Sequence, residues 1–125
     1  FLFLFFAYFI IGDVMEITME QIRQMEFKNI IDIRSNALYN KGSLPNAINI
    51  PRQVLLLKPE LYLKKNVTYY LYCDEGQLSK KVSLELNELG YHTYSIEGGY
   101  NAFHMLFIIV KAFLIKLFLR IVLKV

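Results

Sequence analysis

Only one cysteine occurs in the 125 residues, and its setting has chemical content. It lies in Tyr69-Tyr70-Leu71-Tyr72-Cys73-Asp74-Glu75-Gly76-Gln77-Leu78-Ser79-Lys80-Lys81. A cysteine can serve as nucleophile, metal ligand or inert filler, and its neighbours decide which. Val67 to Tyr72 is β-branched and aromatic with neither Pro nor Gly, the composition of a buried strand. From Ser79 onward Val82, Leu84, Leu86 and Leu89 follow helical spacing, and Gly90 is a suitable stop. Cys73 is therefore expected at the carboxyl end of a strand, facing the first turn of a helix. That turn leaves N–H groups without intrahelical partners and carries partial positive charge. A loop curled there favours a thiolate and any anion attached to it. The competing role is a small, inert core residue. The polar run Asp74-Glu75-Gly76-Gln77 speaks for a surface loop and a reactive thiol.

The rest of the composition narrows the chemistry. The length suits one domain with a sizeable core. A lone Cys excludes a disulfide within these residues and suits a reducing, cytoplasmic setting. His92 and His104 lie far from Cys73 and have no ligand spacing, so no metal is expected. Residues 13–104 hold 10 Lys/Arg against 11 Asp/Glu, whereas the last 21 residues hold Lys111, Lys116, Arg120 and Lys124 and no acid. The overall charge of +3 belongs to the tail. Nothing in the central part supports nucleic-acid binding.

Elements able to position Cys73 can be read in order. Residues 1–11 are unbroken apolar chain; as a helix they cover ~17 Å, short of a ~30 Å hydrocarbon core. Residues 1–12 are expected to be the end of a membrane anchor, or else a short apolar tail that docks on the domain or a partner. Met15 to Ile17 suits a short strand. Thr18-Met19-Glu20-Gln21 fits a capping box, opening a helix through Gln24 or Met25. Strands are expected at Lys28–Ile33, Ala47–Ile50, Val67–Tyr72 and Tyr91–Ile96. Ser35 or Asn36 caps a brief helix, Lys41 to Pro45 turns, and Arg52 to Tyr62 is helical with a break near Pro59. Strands alternating with helices imply a parallel sheet covered on both faces, with ligands at the carboxyl ends of its strands.

Several of these pieces together resemble a known family. Ile30-Ile31-Asp32-Ile33-Arg34-Ser35, Tyr39, Lys41-Gly42 through Pro51, Tyr72-Cys73 with Gly76 and Ser79, Leu89-Gly90-Tyr91, and Glu97-Gly98-Gly99-Tyr100-Asn101-Ala102-Phe103 are similar in order and spacing to the rhodanese domain. The resemblance spans about residues 15–103, with a domain drawn at 13–104. It implies an α/β fold: a rhodanese-like, five-stranded, mostly parallel sheet with helices on both faces. It also implies that Cys73 is the catalytic residue, carrying sulfane sulfur as a persulfide. The backbone amides of Asp74, Glu75, Gly76, Gln77, Leu78 and Ser79 would form the substrate-binding loop, with no cofactor. Asp32 and Arg34 match an Asp-x-Arg pair with a structural role. Gly42, Gly98 and Gly99 match turns where a side chain would obstruct the backbone. Ser43 and Asn46 replace the His and Gly frequent in the family, both acceptable in turns. A phosphatase on this fold would carry a longer loop with an Arg near its end; only five residues separate Cys73 from Ser79, none of them Arg.

The resemblance leaves two matters open. Catalytic members often have a basic residue where this chain has Asp74 and a basic or hydroxyl residue where it has Leu78, and Glu75 adds a further acid. Each carboxylate, at ~6 Å and an effective dielectric constant of ~20, disfavours a thiolate by about 2–3 kcal/mol before screening. Thiosulfate is then a poor donor; a neutral or protein-bound persulfide, with a thiol acceptor, fits better. The alternative is a rhodanese-like module, weak or inactive, that binds a partner. Residues 105–125 lie outside the resemblance. On a helical wheel Lys116, Arg120 and Lys124 fall within about 80° of one another, with Lys111 opposite. That suits a basic apolar helix on an anionic membrane surface; a helix packed on the domain and a non-native ending are the other readings.

Overall fold

The computed structural model describes residues 16–25 and 28–123. The expectations for residues 1–12, Met15 and Lys124 lie outside the described residues. Five short strands, β1 (Glu16–Ile17), β2 (Ile30–Asp32), β3 (Ile48–Asn49), β4 (Thr68–Tyr72) and β5 (His92–Ile96), form one sheet in the order β1-β5-β4-β2-β3. Every pairing is parallel, with Ile31 beside Leu71 and Tyr70 beside Tyr94 in register. The helices are α1 (Met19–Gln24), α2 (Asn36–Lys41), α3 (Arg52–Leu57), α4 (Gln77–Glu88) and α5 (Gly99–Leu123). A single 3₁₀ turn, Pro59–Leu61, follows α3 at the break expected near Pro59.

The local chemistry explains these starts and stops. Thr18 and Gln21 exchange side-chain and backbone hydrogen bonds, a complete capping box for α1. The Ser35 side chain accepts from the Leu38 N–H and caps α2. Asn46 turns the chain before β3 with φ 62°, a left-handed conformation that Asn tolerates.

Two apolar layers cover the sheet. One face packs Ile31, Ile33 and Leu71 against Leu55 of α3 and Val82 and Leu86 of α4. The other packs Ile17, Ile30, Tyr72 and Ile96 with Ile22 of α1, Leu44 and Ala47. Burial of a Leu or Ile is worth about 1.5–3 kcal/mol, so each layer is sufficient to hold its helices. Helices on both faces leave the carboxyl ends of β2 and β4, at Asp32 and Tyr72, side by side. Beyond Phe103 no residue of α5 through Leu123 is buried. The helix runs through residues 104 and 105 without a break.

Candidate functional site

Cys73 follows directly on β4 and is 5 % exposed. Its sulfur is enclosed from below by main chain. The Gly76 N–H donates to Cys73 Sγ at 3.1 Å and the Ser79 N–H at 3.4 Å. The thiol in turn reaches Ser79 Oγ at 3.4 Å. Gly76 makes this tight return: its φ is +95°, a conformation costly for other residues, and it caps α4 without a side-chain bond. Helix α4 therefore begins at Gln77, two residues earlier than its apolar spacing predicts. Gln77 and Leu78 belong to its first turn, and the loop proper is only Asp74 to Gly76.

The other half of the loop's orientation comes from α5. The Tyr100 N–H donates to the Cys73 carbonyl at 2.9 Å, and the Asn101 N–H to the Asp74 carbonyl at 2.9 Å. With those carbonyls held toward α5, the chain curls so that N–H groups converge on sulfur. The approach is close at Gly99, φ +57°, where a Cβ would overlap the Cys73 carbonyl oxygen and lie 2.8 Å from that of Asp74.

A buried charged network flanks the loop. Asp32 is 0 % exposed and Arg34 6 %. Arg34 donates through its backbone N–H and Nε to Asp32 Oδ1, at 2.9 and 3.0 Å, and through Nη2 to Oδ2 at 2.7 Å. Tyr72 donates to the same Oδ2 at 2.6 Å and accepts from the Leu44 N–H at 3.0 Å. Arg34 also reaches the Gly42 carbonyl at 2.7 Å and lies 4.2 Å from the Tyr100 ring centroid. Burial opposes its charge, but the bonds to Asp32 and that carboxylate's charge outweigh it and raise the guanidinium pKa. For the Tyr72 phenol, burial and then the bond to Asp32 push the pKa above the usual value. The remaining guanidinium nitrogen, Nη1, pairs with Asp74 Oδ1 at 3.3 Å.

That last contact moderates the electrostatic expectation. Asp74 is held by Arg34 at 3.3 Å, which screens it only in part, because the same guanidinium is already paired with Asp32. Lys80 is engaged elsewhere, with Glu16 at 3.2 Å. Above the sulfur opens a cleft of about 620 Å³. Its lining includes Ile33, Arg34, Pro51, Arg52, Cys73 and Leu78, with Asp74, Glu75 and Gln77 around the loop.

The rhodanese-like domain family model matches residues 18–106, most of the chain and all of the site. The chain belongs to the rhodanese-like domain family. Among similar proteins is YtwF of Bacillus subtilis (strain 168), provisionally named a sulfurtransferase: 32 % identical over 80 residues, covering 64 % of this chain and 77 % of YtwF. The adenylyltransferase and sulfurtransferase uba4 of Ogataea parapolymorpha is 29 % identical over 84 residues, which are 66 % of this chain and 22 % of that larger protein. A solved rhodanese-like domain protein from Staphylococcus aureus superposes with a TM-score of 0.62 at 28 % identity, covering 68 % of this chain and 86 % of that one.

Within this rhodanese-like domain the residues singled out by sequence assemble at the carboxyl end of the sheet. Asp32 and Arg34 form the buried pair. Gly42, with extended φ, is constrained by space: a Cβ would meet the Tyr100 hydroxyl. Gly98 and Gly99 open α5 at positive φ. Of the six loop amides expected around the sulfur, those of Gly76 and Ser79 donate to Sγ, whereas Asp74, Glu75, Gln77 and Leu78 line the cleft. Sequence reasoning gave no role to four participants: Tyr72, Tyr100, Arg52 and Ser95. Ser95 had a signal. Thr93 and Ser95 both occupy inward positions of β5, and Ser79 and Ser83 sit one turn apart on α4, so small hydroxyls mark both sides of one contact.

Proposed function

We propose that this domain moves sulfane sulfur through a persulfide on Cys73, as a sulfurtransferase or sulfur carrier. The observation that supports this best is the convergence of the Gly76 and Ser79 N–H groups on one thiol at the floor of an open cleft. Such donors stabilise a thiolate and a persulfide anion without moving during reaction. The thiolate attacks the outer sulfur of a donor R–S–S⁻. A new Cys73 S–S bond forms, the old S–S bond breaks, and RS⁻ leaves with the electron pair and takes a proton from solvent. The outer sulfur then lies in the cleft beside Glu75, Gln77 and Leu78. An acceptor thiolate attacks it, and Cys73 departs as thiolate.

Charge bears on the donor. Arg34 and Arg52 line the cleft with Asp74 and Glu75, and Arg34 is also paired with buried Asp32, so these five groups carry a net charge of −1. A dianion such as thiosulfate is repelled there, while a singly charged or protein-bound persulfide is repelled less. The donor and acceptor classes we infer are therefore a persulfide of low charge and a thiol. A reducing, cytoplasmic setting would keep the thiol available.

The far half of α5 favours a second, compatible role. Among the described residues no helix is long and apolar enough to cross a membrane. Yet Phe107, Phe113, Ile115, Phe118, Ile121 and Leu123 are all more than half exposed, and the helix's cations, Lys111, Lys116 and Arg120, are accompanied by no acid. We assign this segment to contact with an anionic membrane surface.

The central test exposes purified protein to a small-molecule persulfide and weighs it intact. A gain of one sulfur atom by wild type and none by Cys73→Ser supports transfer. An absence of gain in wild type favours the partner-binding module, with Cys73 idle.

A further inference from the structure

Behind the sulfur, on the side away from the cleft, stand two buried hydroxyls. Ser79 Oγ is 3.4 Å from Cys73 Sγ, 3.1 Å from the Gly76 carbonyl oxygen and 2.7 Å from Ser95 Oγ. Ser95 Oγ is 3.3 Å from the same carbonyl. Ser79 is 0 % exposed and Ser95 1 %. Water does not compete here, so each hydroxyl hydrogen must choose among these atoms. We propose that Ser95 is a positioning residue, acting through Ser79 to match the hydrogen-bond chain to the ionisation state of Cys73; this rests on Cys73 being the reactive thiol of the proposed transfer.

The accounting closes in both states. With Cys73 as thiol, S–H donates to Ser79 Oγ, Ser79 donates to Ser95 Oγ, and Ser95 donates to the Gly76 carbonyl. With Cys73 as thiolate, Ser79 donates to sulfur. Ser95 remains on the carbonyl, which also accepts from the Lys80 N–H at 3.2 Å. Only one hydroxyl hydrogen rotates and no heavy atom moves. No proton travels along the chain, because it ends at a carbonyl; the thiol proton leaves through the cleft. Without Ser95 the nearer acceptor for Ser79 is the Gly76 carbonyl, at 3.1 Å against 3.4 Å to sulfur. The Ser79 hydrogen is then held back from sulfur when the charge forms. Ser95 frees it by covering that carbonyl.

Alkylation of Cys73 by iodoacetamide across pH, read by intact mass, tests this, because one thiol gives one adduct. Ser95→Thr and Ser95→Val differ by a hydroxyl at nearly constant shape. Ser95→Thr should follow the wild-type pH profile. Ser95→Val should have its profile displaced upward by about half to one pH unit, with alkylation near neutral pH about three- to tenfold slower. Coincident Thr and Val profiles overturn the proposal. So does a Val variant that melts at lower temperature but keeps the wild-type profile, since the hydroxyl is then only structural. Should Thr and Val both pack too poorly to fold, Ser95→Ala against wild type replaces them, since it removes only the hydroxyl; an unchanged profile for Ser95→Ala overturns the proposal. Persulfide loading of wild type is measured in parallel. Displaced profiles with no sulfur gained leave the role of Ser95 standing and remove the transfer chemistry, so the two failures are distinguishable.

Discussion

The Tyr100 N–H donates to the carbonyl of Cys73 at 2.9 Å. Through this bond the start of α5 decides how the loop peptides face, and so which atoms the sulfur meets. Its weak point is Gly99. Gly99→Ala places a Cβ against the Cys73 carbonyl oxygen and forces an unfavourable positive φ on a residue with a side chain. We expect a loss of stability on the order of 2–4 kcal/mol, measured by urea denaturation. Sulfur uptake in the surviving folded fraction should drop as well. Wild-type stability for Gly99→Ala would contradict this packing.

Arg34 and Asp32 are a buried pair, and removing one member alone strands the other. Arg34→Met should cost about 3–5 kcal/mol in equilibrium unfolding. Adding Asp32→Asn should recover part of that loss, because the orphaned charge is removed as well. A double variant as unstable as the two single losses added together would show that the residues are not coupled.

Alkaline stability follows from Tyr72. Burial and the bond to Asp32 raise its pKa in the folded state. Below the unfolded value of about 10, both states keep the proton and the contribution is fully present. As pH rises beyond that, the unfolded chain ionises first and the contribution is lost progressively. The urea midpoint should therefore fall progressively as pH rises above about 10, and the fall should be shallower in Tyr72→Phe. Tyr70, raised by burial and then by the charge of Tyr94, adds in the same direction.

Ser83 sits one turn beyond Ser79, buried, and its Oγ has no hydrogen-bond partner among the described residues. An unsatisfied buried hydroxyl costs about 1–3 kcal/mol. Ser83→Ala should leave the melting temperature unchanged or raise it. A clear drop would mean that a hidden partner exists.

Reversal of the α5 cations tests the membrane role. Protein carrying Lys111→Glu, Lys116→Glu and Arg120→Glu should no longer sediment with anionic vesicles, while wild type does so less as salt is added. Equal sedimentation of both would exclude an electrostatic surface contact.

The sheet, the helix that follows Cys73 and the capping box at Thr18 were legible because each rests on neighbours in sequence. The start of α4 was misplaced because its cap, Gly76, works through a left-handed backbone rather than a side chain, leaving no capping signature. The contact of Asp74 with Arg34 was not legible: that partner is 40 residues earlier and arrives only because β2 and β4 are neighbours. The same holds for Tyr72, whose hydroxyl closes on Asp32 from the adjoining strand. Local pattern named the sulfur and its loop; strand order supplied the charges around them.

Helix α5 contains neither Pro nor a second Gly after Gly99, and it is continuous to Leu123. From Met105 on it is a rod of roughly 28 Å, stiff along its length and fastened at its origin to the backbone of Cys73. Whatever holds the far end therefore dictates the azimuth at which the cleft meets incoming molecules. A donor or acceptor tethered to the same support would find the sulfur always at one bearing, while one diffusing freely would have to search for it.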